Sequence, residues 1–218
     1  ANYQAARHSF DLPPDVLSSL RNLAQRPDGR SATLFMALMA GFQALLYRLT
    51  GQKDIRVGVP VANRNRIETR GIVGFFVNTQ VLRGKINGRM ALSTLLAQVR
   101  EAAIDAQAHQ DLPFEQLVEA LQPERSLSRT PLFQVTFNHL VSDRPKLDQI
   151  KGLKIVDYPL GEQAAQFELT LETIESPDGN VRASFIYASE LFDTRTIERL
   201  GRHYVTLLGA MAGQPATP

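Results

Sequence analysis

Ile72-Val-Gly-Phe-Phe-Val-Asn-Thr-Gln-Val-Leu-Arg83 is bounded by Gly71 and Gly84 and mixes aromatic with β-branched residues, a composition suited to a pleated, half-buried strand. Asn78, Thr79 and Gln80 interrupt its apolar run. Successive strand residues point to opposite faces, so at least one of these three is directed inward and needs a partner, either a neighbouring backbone group or a ligand. Just upstream, Asp54-Ile-Arg-Val-Gly-Val-Pro-Val61 alternates with period two and places Ile55, Val57, Val59 and Val61 on one face. Pro60 ends this strand or confines it to an edge, and the loop Ala62-Asn-Arg-Asn-Arg66 follows.

Helical patterns flank this β-rich region. Asp11-Leu-Pro-Pro-Asp15 supplies a cap and prolines at the first helical positions, followed by Val16, Leu17, Leu20, Leu23 and Ala24 at helical spacing until Pro27-Asp28-Gly29. Ser31 or Thr33 caps a second helix in which Leu34, Phe35, Leu38, Met39, Phe42, Leu45, Leu46 and Leu49 recur at steps of three and four up to Gly51; this wide apolar face belongs in a core. Leu92, Leu95, Leu96, Val99, Ala103 and Ala106 predict a third helix, and Pro113 separates it from a short fourth through Phe114, Leu117, Val118 and Leu121. The last third reads as strands over 133–137, 153–158, 167–174 and 181–187, with Ser176-Pro-Asp-Gly-Asn180 closing a hairpin. A final helix is capped at Asp193 and carries Ile197, Leu200, Tyr204, Leu207 and Leu208 on one face. Helices interleaved with strands and a late hairpin predict an α/β (α+β) fold with a mixed β-sheet covered by helices.

The chain has 218 residues, 44% of them hydrophobic and 21% charged, with 24 Lys+Arg against 22 Asp+Glu, so its formal charge is +2. This ordinary globular balance predicts one folded unit over residues 1–209 and argues against disorder. Two excess charges make no continuous field of the kind that holds a phosphate backbone, so nucleic acid is not the expected partner. The absence of cysteine excludes disulfides, thiolate nucleophiles and Cys-ligated zinc. The longest apolar run, Leu34 to Leu46, is too short to cross a bilayer, no membrane partner is expected, and the default location is cytoplasmic. The chain opens on Ala1 and closes on Ala210-Met-Ala-Gly-Gln-Pro-Ala-Thr-Pro218; residues 210–218 read as the start of an interdomain linker, and the whole as an excised piece.

His8, His109, His139 and His203 contain no pair at i, i+3 or i+4, so no helical metal site is expected. Phosphate-binding glycine loops and a Gly-x-Ser-x-Gly elbow are absent. Polar groups concentrate instead in Ala108-His-Gln-Asp-Leu-Pro-Phe-Glu115, where His109 and Asp111 have the types of a base and its orienting carboxylate. Two positions apart on a turn, they are better read as a helix C-cap with imidazole at the negative end of the dipole. Arg125-Ser-Leu-Ser-Arg-Thr-Pro-Leu132 is a loop whose two guanidinium groups, Arg125 and Arg129, are read as solvated or carboxylate-paired.

In order and spacing, these segments resemble the C-terminal half of condensation domains from nonribosomal peptide synthetases. Val73-Gly-Phe-Phe-Val-Asn-Thr-Gln80 with Arg83 is similar to that family's fifth core motif, His109-Gln-Asp-Leu-Pro-Phe-Glu115 to its sixth, and Arg125 to Leu132 to its seventh. The seventh departs from the family pattern, with Ser126 at a usually acidic position and Thr130 at a usual Asn. The resemblance implies a chloramphenicol-acetyltransferase-like fold of two lobes, with the reaction in a channel between them and only the second lobe present here. In the family, two adjacent histidines followed by three residues, Asp and Gly lie in the first lobe, and the second His is associated with amide formation. This chain has no adjacent His pair.

The family joins an aminoacyl thioester to an acyl or peptidyl thioester, each carried on the phosphopantetheine arm of a carrier protein, so the resemblance implies no directly bound cofactor. The implied partners are the N-terminal lobe of the same domain, peptidyl carrier proteins and adjacent synthetase domains. By the same resemblance Asn78, Thr79, Gln80 and Arg83 are expected along the channel or the lobe interface. His109, Gln110, Asp111, Arg125 and Arg129 are expected to be structural, no residue here is expected to be catalytic, and the isolated lobe is expected to be inactive. Two alternatives remain at this point: a non-catalytic docking or recruitment module for carrier proteins, and a lobe of an epimerisation domain.

Overall fold

Thr33 accepts a hydrogen bond from the Met36 amide through Oγ1 at 3.3 Å, and Gly51 closes the same helix in the left-handed conformation at φ +68°. Between these caps lies α2 (Leu34–Thr50), whose residues from Ala37 to Leu46 are all buried. The computed structural model describes residues 3–25, 31–69, 71–123, 130–142, 152, 156, 164–214 and 216. Around α2 are β1 (Ala5–Asp11), α1 (Pro14–Ala24), β2 (Asp54–Val61), β3 (Asn78–Lys85), α3 (Leu92–Ala108), α4 (Phe114–Leu121), β4 (Val135–Val141), β5 (Leu169–Glu175), β6 (Val181–Ala188) and α5 (Thr194–Gly213).

The strands form one mixed sheet in the order β1-β6-β5-β4-β2-β3. The β4 strand pairs in parallel with both β2 and β5, and the remaining neighbours are antiparallel. One face, carrying Val57, Phe137, Leu171 and Phe185, packs against the helices; the ring of Phe42 lies between those of Phe137 and Phe185. Tyr204 of α5 is fully buried against the edge of Phe185 and donates its hydroxyl to the Leu38 carbonyl at 2.9 Å, locking α5 onto α2. Removal from water drives that phenol's pKa well above its usual value, so it stays a donor. Polar pairs line the opposite face, among them Ser9 with Ser184 at 2.9 Å, Thr136 with Thr170 at 2.7 Å, and Arg7 with Glu172 at 2.8 Å.

The structure differs from the sequence expectations in four places. Residues 72–77 are not strand: β2 ends at Val61, which pairs with Asn78, and among the described residues the backbone before Asn78 has no strand neighbour. Residues 5–11, for which the sequence predicted no element before the cap at Asp11, form an edge strand on β6, and Asp11 ends that strand beside Arg182. Phe133 and Gln134 precede β4, because Leu132 adopts φ +71° and turns the chain ahead of Val135. The closing helix runs through Ala210 to Gly213 with Met211 buried, where composition had suggested a linker; part of 215–218 lies outside the described residues. The strand expected over 153–158 also lies outside them, apart from Val156. No helix of the described residues is long and apolar enough to cross a membrane.

Near the ends of β4 and β5, His139 places Nδ1 2.8 Å from Thr173 Oγ1 and Nε2 3.6 Å from Glu175, whose other carboxylate oxygen accepts from Arg21 at 2.8 Å. Burial lowers the imidazole pKa below its usual value, with Glu175 opposing part of that shift. As pH falls the unfolded chain is therefore protonated first. Stability from the neutral ring is complete above the unfolded value of about 6.5 and is lost as pH falls from there toward the lowered native value. Urea unfolding of His139→Gln between pH 7 and 5 is expected to show a flatter acid limb than the parent; parallel curves would remove His139 as its source.

Candidate functional site

Asn78 is the first residue of β3 and its side chain lies on the helix-packed face. Its Nδ2 donates to the carbonyls of Gln110 at 3.1 Å and Leu112 at 2.8 Å, and its Oδ1 accepts from the amides of Phe114 at 3.1 Å and Thr79 at 2.9 Å. One amide thus satisfies both sides of the turn between α3 and α4, where helix ends leave backbone groups unpaired. Two residues on, Gln80 donates through Nε2 to the Ala106 carbonyl in the last turn of α3. Of the two kinds of partner open to these amides, backbone is what they find. His109 is the C-cap of α3, with Nδ1 2.8 Å from the Asp105 carbonyl, so its ring is engaged by the helix end instead of by Asp111.

The third motif segment converges on the same place. Arg125 and Arg129 lie outside the described residues, but Thr130 accepts from Gln134 Nε2 at 3.0 Å and the Phe133 amide donates to the Pro131 carbonyl at 3.0 Å. That three-residue turn holds Leu132 at positive φ, a conformation a bulky residue adopts only when its surroundings enforce it. It seats the Phe133 ring directly on Gly58, where any Cβ would overlap the ring. The Phe133 ring packs in tilted contact with Phe114 of α4 and with Phe167, each with centroids 5.5 Å away. All three motif-bearing segments therefore meet at one end of the sheet.

Apolar side chains project from this junction. Val73 is fully exposed, Phe75 is 88% exposed, and Ile72, Val77, Leu112 and Leu121 are also open. Thr79 and Arg83, on the opposite face of β3 from Asn78 and Gln80, complete the predicted set. Arg83 holds Asp54 with two hydrogen bonds, Nε at 2.7 Å and Nη2 at 3.1 Å, and Arg56 adds a third at 2.9 Å. Chiefly through the Arg83 bond, the Asp54 carboxyl sits below its ordinary pKa. Amides, carbonyls and apolar surface are groups that can orient a partner and exclude water. Sequence reasoning missed the roles of Phe133, Phe167 and Gly58, although a glycine inside a valine-rich strand is a recognised mark of close approach.

The Condensation domain family matches residues 1–218. A linear gramicidin synthase of Brevibacillus parabrevis is 45% identical over 221 residues, a match that covers 100% of this chain and 3% of that protein. Among solved structures, a four-domain nonribosomal peptide synthetase bound to AMP and glycine superposes with a TM-score of 0.86 at 26% identity, covering 97% of this chain and 17% of that one. The X-domain of teicoplanin biosynthesis, solved in complex with OxyB, gives a TM-score of 0.85 at 24% identity and covers 98% and 46%. The chain thus spans under half the length of each of these proteins.

Asn78→Asp is close to isosteric but turns a carboxylate oxygen toward the Gln110 and Leu112 carbonyls. It is expected to cost about 1–3 kcal/mol at neutral pH. Because the mutant carboxylate is disfavoured in the native state, part of that loss should return as pH falls through the carboxyl range, whereas Asn78→Ala should show no such recovery. Chemical denaturation of both variants at two pH values checks this.

Proposed function

We propose, from a chain that belongs to the condensation-domain family, that it is the C-terminal half of a domain forming amide bonds between carrier-bound aminoacyl and acyl or peptidyl thioesters. The observation that carries the reading is the exposed apolar ridge of Ile72, Val73, Phe75 and Val77 at the junction of the three motif segments. A contiguous apolar surface of this kind marks an interface. Coverage of under half of the four-domain synthetase and of the X-domain leaves length for a second half to meet it.

In the proposed reaction the free amine of one substrate attacks the thioester carbonyl of the other. A C–N bond forms, the C–S bond breaks, and the amine proton is passed on as the phosphopantetheine thiol leaves. Such a step gains most from orientation and from donors placed for the developing oxyanion. This half supplies a wall. Thr79 and Arg83, on the face of β3 away from the helices, are the two predicted residues free of the α3–α4 turn, and Asn78 and Gln80 act by holding that turn. The adjacent-His signature belongs to the other half, and no cofactor binds here directly because the substrates arrive on carrier-protein arms. Neighbouring synthetase domains complete the set of partners.

One observation favours a second reading, a docking module. The X-domain, which shares this fold, was solved in complex with another protein, OxyB. The two readings separate in one assay with loaded carrier proteins and product detection by mass spectrometry. The chain alone is expected to give no amide, and the chain with its missing half is expected to give turnover. Turnover by the chain alone would overturn the assignment of proton chemistry to the other half. Carrier binding without turnover by the completed pair would favour docking, and exchange of the aminoacyl Cα proton would identify an epimerising lobe.

A further inference from the structure

Loop 62–77 leaves β2 at Val61 and returns to the sheet at Asn78, and for most of its length it has no strand beside it. A short turn at Ile67–Thr69 closes on the Arg66 carbonyl through the Thr69 amide and hydroxyl, and one side chain ties that turn to the residues after it. Arg64 donates through Nη1 to the carbonyls of Thr69 at 2.5 Å and Ile72 at 2.8 Å, and through Nη2 to that of Gly74 at 3.0 Å. Its Cζ also lies 4.4 Å from the centroid of the Phe76 ring. A guanidinium offers five donors in a fixed plane with a face that attracts an aromatic ring, so this single group satisfies three carbonyls along the loop and pins the ring that follows them.

The consequence lies in which side chains face out. Phe76 is drawn down onto Arg64 and is half-buried; its neighbours Phe75 and Val77 are exposed, as is Val73, fully. Phe75 and Val77 flank Phe76 directly, so seating its ring on Arg64 leaves them as the side chains directed away from that contact. Without Arg64 the Ile72 and Gly74 carbonyls would lose this donor and the Phe76 ring its cationic partner, leaving the choice between Phe75 and Phe76 as the outward ring without that contact.

We propose that Arg64 is a positioning residue that selects the outward face of loop 72–77, so that Val73, Phe75 and Val77 are presented to the other half of the domain. This rests on the reading of that ridge as the lobe interface, and the experiment is built to fail separately from it. Lys cannot replace Arg here. An ammonium is a point charge that cannot span carbonyls as distant along the chain as those of Thr69 and Gly74 while lying flat against a ring. Arg64→Lys is therefore expected to behave like Arg64→Ala.

The test uses the intact condensation domain within its synthetase, with four proteins: the parent, Arg64→Ala, Arg64→Lys and the double variant Val73→Ser/Phe75→Ser. Condensation turnover, melting temperature and chymotryptic cleavage after Phe76 are measured for each. Both Arg64 variants are expected to lose at least about tenfold in turnover and to be cut faster at Phe76, while the melting temperature stays within about 3 °C, since the loop lies outside the core. The double variant is expected to lose turnover without faster cleavage. Wild-type turnover in either Arg64 variant, with the double variant impaired, overturns the role of Arg64 and leaves the interface reading in place. Wild-type turnover in the double variant overturns the interface reading, and the Arg64 proposal with it. A large fall in melting temperature that accounts for the lost turnover makes Arg64 an ordinary stabilising residue and overturns the proposal.

Discussion

Beyond Val61, β2 offers no backbone to β3, so the residues before Asn78 must find hydrogen-bond partners outside the sheet. Much at this end of the molecule follows from that loss. The Arg64 guanidinium takes up three of the loop carbonyls, and Asn78 becomes the last point at which the strand is anchored. Because strand side chains alternate, the anchor points to the helix side and its amide reaches the turn between α3 and α4. The place where the sheet stops thus fixes where α4 begins. The apolar side chains of the unpaired segment have no layer to cover them and remain outside.

The rest of the fold gives this end a rigid base. Phe42, Phe137, Phe185 and Tyr204 form a buried aromatic chain from α2 through the sheet to α5. Aromatic contacts of this kind are worth about 0.5–1.5 kcal/mol each beyond the area they bury. They outweigh the exposed ion pairs on the opposite face, such as Arg182 with Asp11, which solvent screens. Rigidity here comes from packing, and the surface pairs tune it.

How much of this was legible in the sequence depended on where the partner of each residue lay. The helices were readable because their signals are local: Thr33 and Gly51 bound α2, and Asp193 caps α5 through the Thr196 amide at 2.8 Å. The β2 strand was readable over its full length because alternation alone specifies it. Residues 72–77 were misread because β-branched and aromatic composition reports suitability for a sheet, not the presence of a neighbouring strand. The β1 strand was missed for the converse reason: Ala6, His8 and Phe10 alternate with Arg7, Ser9 and Asp11, but alanine, histidine and serine weaken the compositional signal. At the site, the motif residues could be singled out from sequence but not their contacts. Asn78 bonds to residues 32 to 36 positions away, and the seat of Phe133 on Gly58 crosses still more chain.

The placement of the histidines bears on the division of labour in the proposed reaction. His109 is spent on the end of α3 and His139 is held between Thr173 and Glu175 within the helix-packed layer. A base in an amide-forming site must reach the attacking amine at hydrogen-bond distance, and the proposed reading places that base on the other half. What the ridge and the face of β3 beside it can contribute is geometry. Holding two tethered reactants in alignment can supply about 7–11 kcal/mol of a bimolecular barrier, and it does so only while the wall keeps its shape. On the proposed reading, that makes the hydrogen bonds of Asn78 and Arg64 relevant to rate although neither touches a reacting atom. It also accounts for polar side chains in an otherwise apolar segment, since backbone carbonyls near a dry interface must be satisfied from within the same half.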